Sequence, residues 1–195
     1  MVDDQLTLLR DVTNLLKTLI QTNISELNGA TSVVLDSPGD MPAAMQNQLS
    51  LFLYHISENP FLRNQDFVKA GPDKLQSPPL TLDLFYLLTP YSKDKDVEQI
   101  ILAKVMRLFY DNAILTGTSL GDSLLESGNN ELRVIMNTLS LEQLNQIWGI
   151  FPGKSFHVSL SYIVTPLKIA STREFDTQRV ITKQWDTYQR DKKRK

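Results

Sequence analysis

A mixed α/β domain is the fold class this sequence predicts: a single sheet flanked by helices, followed by an extended C-terminal tail. Three observations predict it. Apolar residues alternate with period two in three separate runs, 49–57, 80–89 and 156–164, and that period belongs to strands. Between and before these runs lie three amphipathic stretches with helical spacing. From Ser171 onward the character changes, with eight Lys/Arg against four Asp/Glu, a net +4 on a chain whose total is −2. Alternating strands and helices pack naturally as one sheet covered by helices.

The first helix is expected over 3–24. Leu9, Val12, Leu16, Leu19 and Ile20 form its apolar stripe, and Asp3 or Asp4 stands where a cap opposes the dipole. A short strand follows at 31–35. Residues 36–47 carry Pro38, Gly39 and Pro42 and read as a loop. The run 49–57 then sets Leu49, Leu51 and Leu53 on one side and Phe52, Tyr54 and Ile56 on the other. With both sides apolar, neither face meets water freely. One face has helices of this chain to pack on, and the other needs a second layer from this chain or a neighbour. Asn59-Pro60 stops the strand.

Residues 60–79, with Gly71-Pro72 and Pro78-Pro79, read as a long connection of the kind that often binds. The run 80–89 places Leu80, Leu82, Leu84, Tyr86 and Leu88 on one face, with Thr81 and Asp83 opposite, and Pro90 is expected to end it. A second helix is predicted over 93–112, burying Val97, Ile100, Ile101, Val105, Leu108 and Phe109. Residues 117–130, rich in Gly, Ser and Asn, read as a loop, and 132–138 as a strand. Ser140 and Gln143 form a capping box, with Leu139 and Leu144 placed as a hydrophobic staple, so a third helix starts there and runs through Trp148. Gly149, Pro152 and Gly153 end it. The last strand is predicted over 156–164, with Pro166 ending it or marking a bulge.

Composition narrows the function classes. A chain of 195 residues, 42% hydrophobic and 22% charged, is expected to form one soluble domain, or one domain with an appendage. A net charge of −2 gives no reason to invoke nucleic acid. The absence of Cys excludes disulfides and thiolate zinc sites. The acidic, amphipathic start is unlike a secretory signal, and no window approaches a membrane span, so synthesis and folding in the cytoplasm are expected.

No catalytic constellation emerges. His55 and His157 both fall in expected strands, lack metal-type neighbours at i+2 or i+4, and read as structural. There is no G-x-S-x-G elbow. Gly153-Lys154-Ser155 looks like the end of a phosphate loop. That loop needs a Gly where Trp148 stands, and needs a strand before and a helix after, the reverse of the order here. Gly117 and Gly121 serve turns. Asp83, Glu98 and Asp111 are dispersed over solvent faces. No catalytic residue, cofactor or metal is expected.

Three blocks carry a resemblance. LSLFLYHISENPFLRN (49–64), PPLTLDLFYLLTPYS (78–92) and LSLEQLNQIWGIFPGKSFHVSLSYIVTPLKI (139–169) resemble, in that order, the tail-cap or tube-terminator family of extracellular contractile injection systems. These phage-tail-like particles are typified by the Photorhabdus virulence cassettes and the antifeeding prophage. The resemblance covers about residues 1–170. The loops 36–47 and 117–130 and the tail 171–195 carry no matching signature. It implies a terminator-like fold and a non-enzymatic assembly protein. Such a protein forms a hexameric ring, ends the inner tube and contacts the last sheath layer of a particle that is finally extracellular. Membrane and nucleic acid are not among the expected partners. Other readings stay open: another tail-completion or baseplate adaptor, or a small-molecule-binding α/β domain.

The expected organisation is a domain over 1–170 and a basic arm over 171–195. Candidate interface residues are Arg63 and Asn64, in the turn after the first long strand, and Ile181, Trp185 and Tyr188, whose i, i+4, i+7 spacing puts them on one helical face.

Overall fold

Residues 7–41, 46–63, 65–69, 71 and 73–176 are described by a computed structural model. Its main sheet has six strands, β1 (Val33–Val34), β2 (Gln48–Glu58), β5 (Leu80–Tyr91), β6 (Ile114–Thr116), β7 (Glu131–Met136) and β8 (Leu160–Ile169), in the order β1-β2-β5-β8-β7-β6. All neighbours are antiparallel except β1 and β2. The helices are α1 (Leu8–Asn23), α2 (Lys95–Asp111), the short α3 (Asp122–Glu126) and α4 (Leu141–Gly149). The mixed α/β sheet with flanking helices is as expected. Beyond it lies a small second sheet of β3 (Val68–Lys69), β4 (Lys74–Gln76) and β9 (Glu174–Asp176), in the order β3-β4-β9.

The core lies between one face of the main sheet and α1, α2 and α3. Leu8, Val12, Leu16 and Ile20 seal α1 onto it, with Leu9 and Leu19 at the margin. Ile101, Leu102, Val105 and Phe109 do the same for α2, while Ile100 is 45% exposed, contrary to expectation. A turn of 3.6 residues puts positions 101, 105 and 109 in line and rotates 100 outward. The sheet contributes Leu49, Leu51, Leu84, Tyr86, Tyr162 and Val164 to this face. Tyr86 donates or accepts one polar link across the layer, its hydroxyl lying 2.8 Å from Thr13 Oγ1, which also bonds the Leu9 carbonyl. Burial pushes the Tyr86 phenol up to about 12, with the Thr13 hydrogen bond acting the other way.

Several expected boundaries shift, each for a local reason. Pro90 does not end its strand: β5 continues to Tyr91, with Pro90 opposite Leu49. Leu49 N–H turns away from β5 to the Ser32 carbonyl at 2.7 Å, so the pair exchanges no ladder bond. The missing donor of Pro90 therefore faces the β8 side, past the start of β8, and nothing is lost. β8 itself begins at Leu160, not 156, because the ladder stops there: β5 pairs with it only to Leu88–Leu160, although β5 runs on to Tyr91, and β7 only to Met136–Tyr162. His157 consequently lies before the strand. Pro166 marks a bulge, where Thr165 and Pro166, joined by a cis peptide, lie across from the single residue Asp83. The stretch 117–130 is not a loop. It holds a 3-10 turn at Gly117–Ser119 and α3, and it buries Leu120 and Leu124 in the core. Gly117, Gly121 and Gly128 do serve its turns, all three with positive φ. The long connection 60–79 contains β3 and β4. The Asp3/Asp4 cap and Pro42 lie outside the described residues; the described α1 starts after Thr7.

Candidate assembly surfaces

The turn after β2 is built on Asn59. Its side-chain carbonyl accepts from the backbone N–H of Phe61 (3.0 Å) and Leu62 (3.1 Å), which closes the turn, as an Asx side chain does for groups two and three residues on. Its amide nitrogen donates to Asp83 Oδ1 at 2.9 Å, and Thr165 Oγ1 donates to the same oxygen. Its backbone N–H bonds the Thr81 carbonyl at 2.8 Å. One buried amide thus fixes the turn to β5 and to the β8 bulge. The consequence is outside: Phe61 stands 91% exposed, held on a rigid corner rather than on a loose loop. Arg63 is exposed on the same turn with Glu58 Oε2 3.7 Å from its Nε. Asn64 lies outside the described residues. The sequence reading named Arg63 and Asn64 for this turn and missed Asn59, Asp83 and Thr165, whose signal was the Asn-Pro step and the strand Asp opposite a later Pro.

The small sheet continues the main one. Leu80 pairs with Ile169 in β5/β8, Ser77 N–H bonds the Arg173 carbonyl at 3.0 Å, and Gln76 pairs with Glu174 in β4/β9. The two chain segments 74–91 and 160–176 therefore run side by side as one long ribbon. Among the described residues no helix covers its outer part, and residues 65–69 and 172–176 are exposed. Phe67 and Phe175 meet edge to face at 5.3 Å and are both about half exposed. Lys74 Nζ to Glu174 Oε2, at 2.7 Å, ties β4 to β9.

On the sheet face away from α1 and α2, cover is partial. Phe52 packs on Phe151 and Phe151 on Trp148, with centroids 6.1 and 5.7 Å apart. His157 stacks on Trp148 at 6.0 Å and lies 4.9 Å from Tyr91. Burial pushes the His157 imidazole below its usual value, and Lys95 and Lys154 act in the same sense. Glu98 acts against them, and the ring packs among aromatic neighbours. His55 is exposed and rests against Phe85 at 5.1 Å. Further along, Tyr54, Ser161 and Asn137 bond one another at 3.0 to 3.3 Å.

α4 leans outward from this cluster. Its capping box is present, with Gln143 N–H donating to Ser140 Oγ at 3.2 Å and Ser140 N–H to Gln143 Oε1 at 2.9 Å. Only Trp148 is buried, while Leu141 is exposed, as is Ile150 just past its end. The Gly153-Lys154-Ser155 segment follows, and Lys154 Nζ is used on the Met41 carbonyl at 3.0 Å. No group of three or more His, Cys, Asp or Glu is placed to hold a metal ion among the described residues. Nor is any described helix long and apolar enough to cross a membrane. Ile181, Trp185 and Tyr188 lie outside the described residues.

These surfaces occur on a fold with known counterparts. The model of the Pvc16 N-terminal domain family matches residues 11–183. Among solved structures, the chain is similar to the sheath/tube terminator, in the extended state, of the extracellular contractile injection system PVC, with TM-score 0.66 and 17% identity over 93% of this chain and 63% of that one. It is also similar to the tube-terminating cap of the anti-feeding prophage, with TM-score 0.63 and 18% identity over 90% of this chain and 60% of that one. The chain thus spans about three-fifths of the length of either. No curated protein matches the sequence.

Proposed function

The chain belongs to the Pvc16 N-terminal domain family, and from that premise we propose that it is a structural assembly protein. It caps and terminates the inner tube and sheath of a phage-tail-like contractile injection particle, as a closed ring of identical subunits. The observation that carries the reading is the similarity of fold, over nine-tenths of the chain, to two proteins described as terminators of such particles. The surfaces suit the role. Rings use head-to-tail contacts between unlike patches, and this chain offers unlike patches: the Phe61 corner, the bare outer ribbon and α4.

In this reading the ring is hexameric and its partners are the inner-tube protein and the terminal sheath protein. Residues 1–170 form the cap domain and 171–195 an arm, whose strand β9 is paired with β4. Arg63, on the corner, and Asn64, next to it in sequence, make interface contacts, as do Ile181, Trp185 and Tyr188 of the arm. The role involves no catalysis. Assembly takes place in the bacterial cytoplasm and the finished particle is released.

Electron microscopy of particles assembled without this protein tests the reading. Tubes and sheaths of irregular length are expected. Uniform, correctly finished particles would overturn it.

A further inference from the structure

An apolar groove opens between the last turns of α2 and the end of β7. It arises because β6 is too short. β6 pairs with β7 only up to Arg133, so Ile135 and Met136 have a strand neighbour on the β8 side alone. Phe109 and Tyr162, both buried, form the floor of the groove, edge to face at 4.8 Å. Met106, Tyr110 and Met136 form its walls, and Tyr110 is 84% exposed. The volume is about 530 Å³, enough for a few large side chains. Arg107 at the rim is its one charged lining residue. A free apolar slot flanked by an open strand edge is costly to leave in water.

The path of the chain says what fills it. β8 and β9 run in one direction along the ribbon, from Leu160 to Asp176. The last described residue, Asp176, therefore lies at the far end of the ribbon from the groove, which sits beside Tyr162. Along strands at ~3.3 Å per residue, that separation is on the order of 40 Å. From Asp176, Ile181 reaches at most about 18 Å and Trp185 at most about 32 Å. Neither returns to the groove of its own subunit, whereas both are well placed to meet another copy. The three anchors Ile181, Trp185 and Tyr188 share one helical face, the arrangement by which an amphipathic segment lies in a groove.

We propose that the groove formed by Met106, Tyr110 and Met136 receives the segment 181–188 of a neighbouring copy. This inference rests on the ring reading and specifies one contact within it. Each subunit then offers a slot on its body and an anchor on its arm, a head-to-tail contact of the kind a ring needs.

The absence of cysteine makes the test direct. One pool of the full chain carries Arg107→Cys, a second carries Gln184→Cys, and the two are mixed and oxidised. The mixture is expected to give a disulfide-linked pair roughly tenfold above either pool alone, in the range of a single aromatic anchor. Adding Trp185→Ala to the second pool removes that product, and adding Lys193→Ala leaves it. Arg107 is exposed, and circular dichroism confirms that each pool is folded. A mixture that yields no more than its separate pools overturns the proposal, as does indifference to Trp185→Ala. So does a chain with both cysteines that closes only on itself. If particles are capped normally while no cross-link forms, the groove assignment falls and the cap reading stands. If the cross-link forms but particles are finished without the protein, the reverse holds.

Discussion

Two adjacent rows of side chains cross the main sheet, one pointing to each face. Leu53, Tyr86, Tyr162 and Met136 point toward the helices, and Tyr86 and Tyr162 are sealed from solvent there. His55, Phe85, Ile163 and Ile135 point the other way, where Phe85 and Ile163 are half-buried, His55 is exposed and Ile135 is 47% exposed. The residue types in the two rows are similar, yet their surroundings differ. On the first face α1 and α2 close the layer. On the second, the cluster around Trp148 covers only the end near Phe52. An apolar sheet face with half a cover is what a subunit destined for neighbours needs, since an isolated domain gains nothing from leaving it open. In the proposed cap role, the difference separates residues that hold the fold from residues left to meet neighbours.

The largest effect should come from the sealed face. Leu84→Ala removes a fully buried side chain between sheet and helices and is expected to cost about 3 kcal/mol of folding stability. Ile135→Ala and Phe61→Ala, on the isolated chain, should stay within about 0.5 kcal/mol. Urea denaturation of the three variants measures both. If Ile135→Ala or Phe61→Ala destabilises the isolated chain as strongly as Leu84→Ala, the division between folding and assembly surfaces is wrong.

A middle-sized effect belongs to the corner that bridges the two kinds of surface. Asn59→Ala leaves Asp83 short of a donor and the N–H groups of Phe61 and Leu62 without their acceptor. The expected cost is about 2 kcal/mol. It should appear both in urea denaturation and as faster amide exchange at Phe61 and Leu62. Loss of stability with unchanged exchange at those two amides would mean that Asn59 supports β5 and not the turn. That result would remove the reason for calling Phe61 a rigidly held surface anchor.

The sealed face was the more legible one, for a physical reason. Its strands and helices bury one side each, so period two and period 3.6 are written directly into the residues. The capping box at Ser140 was equally plain because its two hydrogen bonds lie within four residues. What could not be read depended on partners distant in sequence. Pro90 lies inside a strand because Leu49 turns its N–H to Ser32. Phe156 and Val158 alternate like strand residues, yet no neighbouring strand pairs with them. Asn129 looked like loop polarity; it is buried, and its side chain exchanges hydrogen bonds with both backbone groups of Lys168, at 2.7 and 2.9 Å, continuing the ladder where β7 has not begun. Of the candidate interface residues only Arg63 falls among those described, and the groove beside Tyr110 had no sequence signal, since it is created by the shortness of β6.

The smallest effect concerns the helix layer itself and asks whether its closure depends on charge. Lys104 Nζ on α2 reaches both oxygens of Glu26, at 2.6 and 2.7 Å, tying α2 to the 3-10 turn Ser25–Leu27 after α1. The hydrogen bond from Lys104 holds the Glu26 carboxyl below its ordinary 4.5, against the opposing pull of partial burial. A carboxylate whose folded pKa is depressed stabilises the fold above its unfolded pKa. That contribution is lost as pH falls through the folded value. The pair should therefore contribute in full at neutral pH and fade below about pH 4.5. Its size should be that of a mostly screened ion pair, about 0.5 kcal/mol. Glu26→Gln is expected to lower urea stability by that amount at pH 7, and the gap from the parent protein should close as pH drops under 4. A gap that persists unchanged at pH 3 would show that Glu26 acts through packing or its neutral hydrogen bonds. The helix-covered face would then owe its closure to apolar contacts alone.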